Sequence, residues 1–287
     1  MIKNIPNEVW AFDCEWVPDI EAGRLLYHLP DDLPTQEVLR VMWEQGGATQ
    51  DNPTPFLRTL LCRIVSVAMV IRRVLPNGTV RLFLQSLPED PEDPSQDEVY
   101  ILNRFLKDGL SVHNPQLVGF NSRNSDLRIL TQRALIHGLP QPRLCERLSA
   151  KPWESQDIDL MDFVSGFGKT YAVSLNELAT LSGIPGKLDT SGDDVCGLWY
   201  SGQHRKIVSY NCLDALTTYL VWLRMATFSG CLDLTNYRLE QQRVKALLDE
   251  HLEKPENAFL LPFLDAWRTL KQRTGELTDG VFSADTQ

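Results

Sequence analysis

A chain of 287 residues, 43% hydrophobic and 23% charged, has room for one large α/β core or two small ones, and these values exclude disordered and fibrous classes. Its 28 Lys and Arg against 38 Asp and Glu leave a formal net charge of −10, which argues against a protein that coats nucleic acid with a basic surface. It does not argue against an enzyme whose acids hold cations, because a bound ion reverses the local field.

The first predicted strand is WAFDCEW, residues 10–16. Alternation puts Asp13 and Glu15 on one face with Ala11, and Trp10, Phe12, Cys14 and Trp16 on the other. Two acids side by side on a half-buried face raise each other's pKa unless a cation relieves them, and no Lys or Arg lies within the segment. Residues 18–58 then interrupt the sheet with proline-rich turns around one predicted helix, TQEVLRVMWEQGG, closed by a glycine pair. This reads as an insertion. LLCRIVSVAMVIRRV and TVRLFLQSL, joined by Pro76-Asn77-Gly78, predict an antiparallel hairpin. The acid- and proline-rich LPEDPEDPSQDE reads as an exposed loop.

A helix (DEVYILNRFLKD), a strand (QLVGF), a helix (SDLRILTQRALIHG) and a strand (QDIDLM) are expected next. SLNELATLSG opens with a capping box, Ser174 and Glu177, and ends at Gly183. QHRKIVSYNCLDALTTYLVWLRMA has helical apolar spacing over several turns, and from about residue 232 amphipathic helices fade into a polar tail. Strands first, then alternation, then helices predict an α/β domain with a mixed sheet over 1–231 and a helical C-terminal extension over 232–287. Six cysteines without a CxxC pair read as free thiols in a reducing compartment. No apolar leader opens the chain, and its most apolar run, TLLCRIVSVAMVI, is broken by Arg63 and Ser66, so a soluble, cytoplasmic protein without membrane contact is expected.

Two further acids fall in apolar surroundings. Asp126 follows QLVGF and the turn Asn121-Ser122-Arg123-Asn124, where an isolated acid would serve as a helix cap. Asp214 lies inside the most apolar helix, one turn after Tyr210, so both project from one face. If Asp13, Glu15, Asp126 and Asp214 converge, four carboxylates are stable together only around hard cations, and an oxygen-only set favours Mg²⁺ or Mn²⁺ over zinc. Asp157, Asp159 and Asp162 near a strand end read as loop and backbone contacts, and Asp189, Asp193 and Asp194 as a solvated loop. Arg123, Arg128, Arg133 and His204-Arg205-Lys206 read equally well as phosphate contacts and as scattered surface charge.

Asp-x-Glu on a first strand, an Asn-led segment ending in Asp, and Tyr-x-x-x-Asp on a late helix resemble the three motifs of the DEDD superfamily of 3′-to-5′ exonucleases, tyrosine subclass. More closely, IDLMDFVSGFG through SLNELATLSGIPGKLD to YNCLDALTTYLVWLR resembles the predicted exonucleases related to the exonuclease domain of family B DNA polymerases. The likeness covers residues 8 to 17 and roughly 59 to 229. It implies a ribonuclease H-like fold, with Asp13, Glu15, Asp126 and Asp214 as ligands of two divalent metal ions, Tyr210 positioning the attacking water, and Asn121 near the terminal nucleotide. Two positions depart from the pattern. Trp16 stands where small hydroxyl residues are common and Ser125 where an aromatic is usual; both would neighbour the substrate and bear on which nucleic acid is preferred.

The expected function is a stand-alone, metal-dependent 3′-5′ exonuclease on single-stranded nucleic acid, with DNA ahead of RNA. The chain has no room for a polymerase domain, so a proofreading role would need a partner in trans. An RNA exonuclease is the second reading and a non-catalytic nucleic-acid-binding module the third; the third predicts the loss of a ligand, and all four acids are present.

Overall fold

The computed structural model describes residues 2, 4–151, 154–168, 171, 173–187, 195–274 and 281. Strands β1 (Glu8–Pro18), β2 (Cys62–Val74), β3 (Val80–Leu87), β4 (Gln116–Gly119) and β5 (Ile158–Asp159) form one sheet in the order β3-β2-β1-β4-β5. β1 pairs antiparallel with β2, as β2 does with β3, whereas β4 runs parallel to β1 and β5 parallel to β4. The described helices are α1 (Ile20–Tyr27), α2 (Thr35–Gln45) and α3 (Glu98–Leu102), which continues through a π-helical run, Asn103–Leu110, into α4 (Ser111–His113). After these come α5 (Asp126–Ile136), α6 (Pro142–Leu148), α7 (Leu160–Val164), α8 (Leu175–Leu181), α9 (Val195–Tyr200), α10 (His204–Phe228), α11 (Leu234–Leu252) and α12 (Leu260–Arg273). The mixed sheet with helices on both faces is the ribonuclease H-like arrangement that the resemblance implies.

β1 is the central strand, and its alternation divides two cores. Val9 and Ala11 join α10, α11 and α12 around the fully buried Trp222 and Trp267. Trp10, Phe12 and Cys14 join the opposite core with Phe105, Leu106, Leu127 and Leu130. Each large apolar side chain so buried contributes roughly 1.5 to 3 kcal/mol, and this anchors the strand that carries Asp13 and Glu15. The hairpin turns where expected: Gly78 takes φ 82°, open to glycine without strain, and its N–H donates to Leu75 O at 2.8 Å. The C-terminal helices pack on the same core as α10, and a buried Arg72–Glu240 pair (3.0 Å) ties α11 to β2.

Three local expectations need correction. The segment 18–58 holds two helices rather than one: Asp19 caps α1 by accepting from the Glu21 and Ala22 N–H groups, a start signal masked by Pro18 and the prolines beyond. QDIDLM supplies only two strand residues, because the Asp159 carboxylate accepts from Met161 and Asp162 N–H and opens α7 there. α6 and α9 are too short for their periodicity to register. Asp189, Asp193 and Asp194 lie outside the described residues, as does the expected polar tail apart from Val281. Among the described residues no helix is long and apolar enough to cross a membrane.

Candidate active site

β1 aims Asp13 and Glu15 towards α10, as the alternation requires. Just past Glu15 the β1–β2 pairing shifts register, from Glu15 opposite Ser66 to Trp16 opposite Ile64, so the acids sit where the strand begins to bend. α10 brings Tyr210 and Asp214 to this face. Its height over the sheet is fixed by the fully buried Asn211, whose Oδ1 accepts from Ala68 N–H (3.1 Å) and whose Nδ2 donates to Ser66 O (3.4 Å). An amide next to Tyr210 thus bonds to backbone on the strand that pairs with the Asp13–Glu15 segment.

Asp126 arrives by a tight turn after β4. A Cβ on Gly119 would overlap Ser122, and Asn121 adopts a left-handed φ of 58°. The Asp159 carboxylate holds this turn by accepting from the Asn121 and Arg123 N–H groups, both at 2.9 Å. Asp126, 3% exposed, then bridges to the strand: Oδ1 accepts from Cys14 N–H (2.9 Å) and Oδ2 from the Ser125 hydroxyl (2.6 Å). Ser125, where an aromatic is usual, therefore acts on the carboxylate beside it. Asp157 likewise serves the backbone, accepting from Leu117 N–H (3.0 Å) and pairing with Arg147, while Asp162 lies 3.6 Å from Arg123.

Asp13, Glu15 and Asp214 each offer a carboxylate oxygen within 4.8 Å of the others. Asp126 stands outside this group but beside Asp13, on which its charge acts more strongly than those of Glu15 and Asp214. Burial first, and then the neighbouring acids, hold Asp13 and Glu15 well above the usual carboxylate range. Burial raises Asp214 too, against a hydrogen bond from Tyr210, and pushes Asp126 up to about 6 despite the bonds from Ser125 and Cys14. The Tyr210 phenol is driven far up, by burial and then by Asp214 and Glu15. Burial and mutual repulsion oppose charge on these acids, positive charge among them relieves that opposition, and the donors are oxygens throughout. The set fits a hard divalent cation, with Asp13, Glu15 and Asp214 as its holders and Asp126 alongside.

All eight residues that the sequence assigns to the site, Trp16, Asn121 and Ser125 among them, line one open cleft of about 1070 Å³. Lys187 lines it as well and was not foreseen. Its charge lowers the pKa of Asp13, Glu15 and Asp214, and its own N–H donates to Asn176 Oδ1 at 2.9 Å. The one signal was an isolated lysine in IPGK just beyond the capping-box helix. The insertion was likewise not foreseen as a wall of this cleft, yet Trp43, Phe56 and Leu57 line it. Of the basic residues considered for phosphate, Arg133 is excluded, since it is buried in ion pairs with Glu98 (2.6 Å) and Asp19 (2.8 Å). Arg205 pairs with Asp90 at 3.2 Å, and Arg128 and Lys206 are exposed.

A mixed sheet that carries acids from its central strand to meet acids from two helices in an open cleft is the build of a cation-dependent hydrolase. Residues 54–267 match a family model described as "Predicted 3'-5' exonuclease related to the exonuclease domain of PolB", and the chain belongs to that family. It is thereby a hydrolase of the 3′-5′ exonuclease class. The match begins at the far edge of the insertion, so Asp13 and Glu15 lie outside it and are placed in the site by geometry alone. No curated protein matches the chain. Among solved structures it is similar to the family B DNA polymerase from the hyperthermophilic archaeon Pyrobaculum calidifontis, at 16% identity and a TM-score of 0.45, covering 94% of this chain and 30% of the polymerase.

Proposed function

We propose that this chain removes nucleotides from the 3′ end of single-stranded DNA by hydrolysis of the terminal phosphodiester. The observation that carries the reading is the convergence of Asp13, Glu15 and Asp214, beside Asp126, in an open cleft of a 3′-5′ exonuclease family member. Two divalent ions, Mg²⁺ or Mn²⁺, would supply there the positive charge that the displacement needs at its attacking and leaving oxygens.

The chain's own residues position and orient. Tyr210 stays protonated at neutral pH, because its pKa lies above an ordinary value of about 10. Its one proton is donated to Asp214 in this structure; turned to the attacking water once Asp214 holds an ion, it would orient that water and not deprotonate it. Lys187 brings a charge suited to a phosphate oxygen once the carboxylates have their ions. Ser125 holds Asp126, while Asn121 and Trp16 border the position of the terminal nucleotide. The family's relation to the exonuclease domain of PolB supports DNA ahead of RNA, and the six free cysteines suit a reducing, cytoplasmic setting.

Matched 5′-labelled DNA and RNA oligomers, incubated with and without Mg²⁺ or Mn²⁺, test this. A descending ladder from DNA, dependent on the ion and stopped by a blocked 3′ end, is expected. Cleavage of a circular single strand would show that the direction is wrong, and a ladder from RNA alone would reassign the substrate.

A further inference from the structure

The insertion between β1 and β2 has its own small core, in which Val38, Met42 and Leu61 pack with Ile20, Tyr27 and Leu57. It is fastened to the catalytic framework at its base. Asp19 N–H donates to Leu61 O and the Tyr200 hydroxyl to Pro18 O, each at 2.8 Å. α5, the helix that begins with Asp126, supplies Arg133 to Asp19 (2.8 Å), and its Gln132 Oε1 accepts from the Thr59 hydroxyl (2.8 Å). Whatever the insertion presents is therefore held in register with the carboxylates.

It presents aromatic surface. Phe56 is 82% exposed, and with the half-buried Trp43 it lines the cleft that holds Asp13, Glu15 and Asp214. Pro53 and Pro55 restrict the backbone before Phe56, and Asn52 and Thr49 tie that loop together: Thr49 N–H donates to Asn52 O, and Asn52 N–H to Thr49 Oγ1. A large apolar side chain in water on a pre-set loop is fitted to a partner it meets from solvent.

The charges of the insertion decide what that partner offers. Residues 18–58 carry three arginines against seven acids. Arg24 is engaged by Pro30 O and Leu33 O, and Arg40 by Glu37 and Glu44. Only the exposed Arg58, two residues beyond Phe56, is left to meet phosphate on this otherwise acidic wall, so a strand entering the cleft turns its bases towards Phe56 and leaves its backbone to Arg58 and solvent. Successive bases on aromatic side chains are the sequence-tolerant way to hold a single strand.

We propose that Phe56, with Trp43 in the same cleft, is a stacking platform for an unpaired nucleobase of the strand whose 3′ end lies at Asp13, Glu15 and Asp214. The assignment rests on the exonuclease reading above. It makes the insertion the element that selects single strands, because a paired base would have to leave its partner to reach Phe56. The surface recognises any nucleobase, of DNA or RNA.

The test separates the platform from the chemistry. Thymidine 5′-monophosphate p-nitrophenyl ester has no upstream base, so Phe56→Ala should hydrolyse it at the wild-type rate. Binding of a fluorescent single-stranded oligomer, measured in an Asp13→Ala background, should weaken by on the order of 10-fold with Phe56→Ala and recover with Phe56→Trp. An abasic site stepped back from the 3′ end should weaken wild-type binding most at one position, and that position should lose its special effect in Phe56→Ala. Phe56 is exposed, so its replacement leaves the fold intact, which a thermal melt verifies. Unchanged oligomer binding by Phe56→Ala, or the same abasic profile in both proteins, overturns the proposal. Failure of the wild type itself on the small ester strikes at the exonuclease reading, while the binding arms still decide the role of Phe56.

Discussion

Acids buried in the core and acids gathered at the floor of the cleft are treated differently in this molecule, and the contrast between them explains the site. Glu98 and Glu240 are 4% and 2% exposed. Glu98 meets Arg133 at 2.6 Å and His137 at 2.8 Å, and its Oε1 accepts from Ile64 N–H; Glu240 meets Arg72 at 3.0 Å and Arg243 at 2.9 Å, and also accepts from the Tyr219 hydroxyl. Asp13, Glu15, Asp126 and Asp214 share their surroundings mainly with one another, opposed by Lys187. The chain thus supplies arginines to buried acids elsewhere and leaves this group in want of charge. Repulsion among these carboxylates is kept in the fold as an affinity for something from outside.

Removing acids from each group is the strongest way to break the comparison. Asp13→Ala should lower nuclease turnover by about 1000-fold or more while leaving the urea midpoint unchanged or raised, because one of several mutually repelling charges is gone. Wild-type turnover by the pure variant would remove the site assignment. Glu98→Ala should act the other way, lowering stability by about 3 to 5 kcal/mol in urea unfolding, because it leaves Arg133 buried with half its partners. A midpoint within error of wild type would dissolve the contrast from that side.

Tyr210→Phe comes next. It keeps the ring in its pocket and removes only the donor, so single-turnover cleavage should fall by on the order of 10- to 1000-fold with oligomer binding retained. Asp214→Asn should instead weaken divalent-ion binding, read by titration calorimetry. An undiminished rate for Tyr210→Phe would make Tyr210 a core residue.

The smallest expected effect is the pH dependence of the apo protein. Asp126 has a folded-state pKa of about 6, above its unfolded value near 4. Between those values the folded chain binds more protons than the unfolded one, so this group lowers stability as pH rises through the window and keeps it lowered above. A divalent ion offsets that loss only where the carboxylates are charged. Mg²⁺ or Mn²⁺ should therefore raise the Tm by a few degrees at pH 8, by roughly what 1 to 2 kcal/mol gives a chain of this size, and by much less at pH 5. Equal shifts at both values would show that the cluster carries no suppressed charge.

What could be read in the sequence was whatever local chemistry specifies. Alternation paired Asp13 with Glu15, one helical turn paired Tyr210 with Asp214, and Ser174 with Glu177 announced a capping box whose bonds the structure contains. Hidden features depend on meetings across the chain. Glu98 closes an acid-rich loop and reads as solvated, yet Arg133, from a helix that begins 28 residues later, draws it into the core. Lys187 is one of many lysines until the fold sets it at the carboxylates. Phe56 sits among prolines and polar residues and signals nothing until the insertion is seen beside the cleft.

The pairing of β1 with β2 extends to Pro18 opposite Cys62, so the whole insertion is the loop of a single antiparallel hairpin. Closing a loop about ten times longer than an ordinary turn costs about 2 kcal/mol more if the loop is floppy. It costs far less if the loop has already collapsed on itself and brought its ends together, as the Asp19 N–H to Leu61 O bond does. A folding route in which the insertion gains structure before the central strands zip is the expected one. Slowing its collapse, for example with Met42→Ala in its core, should retard appearance of the whole sheet.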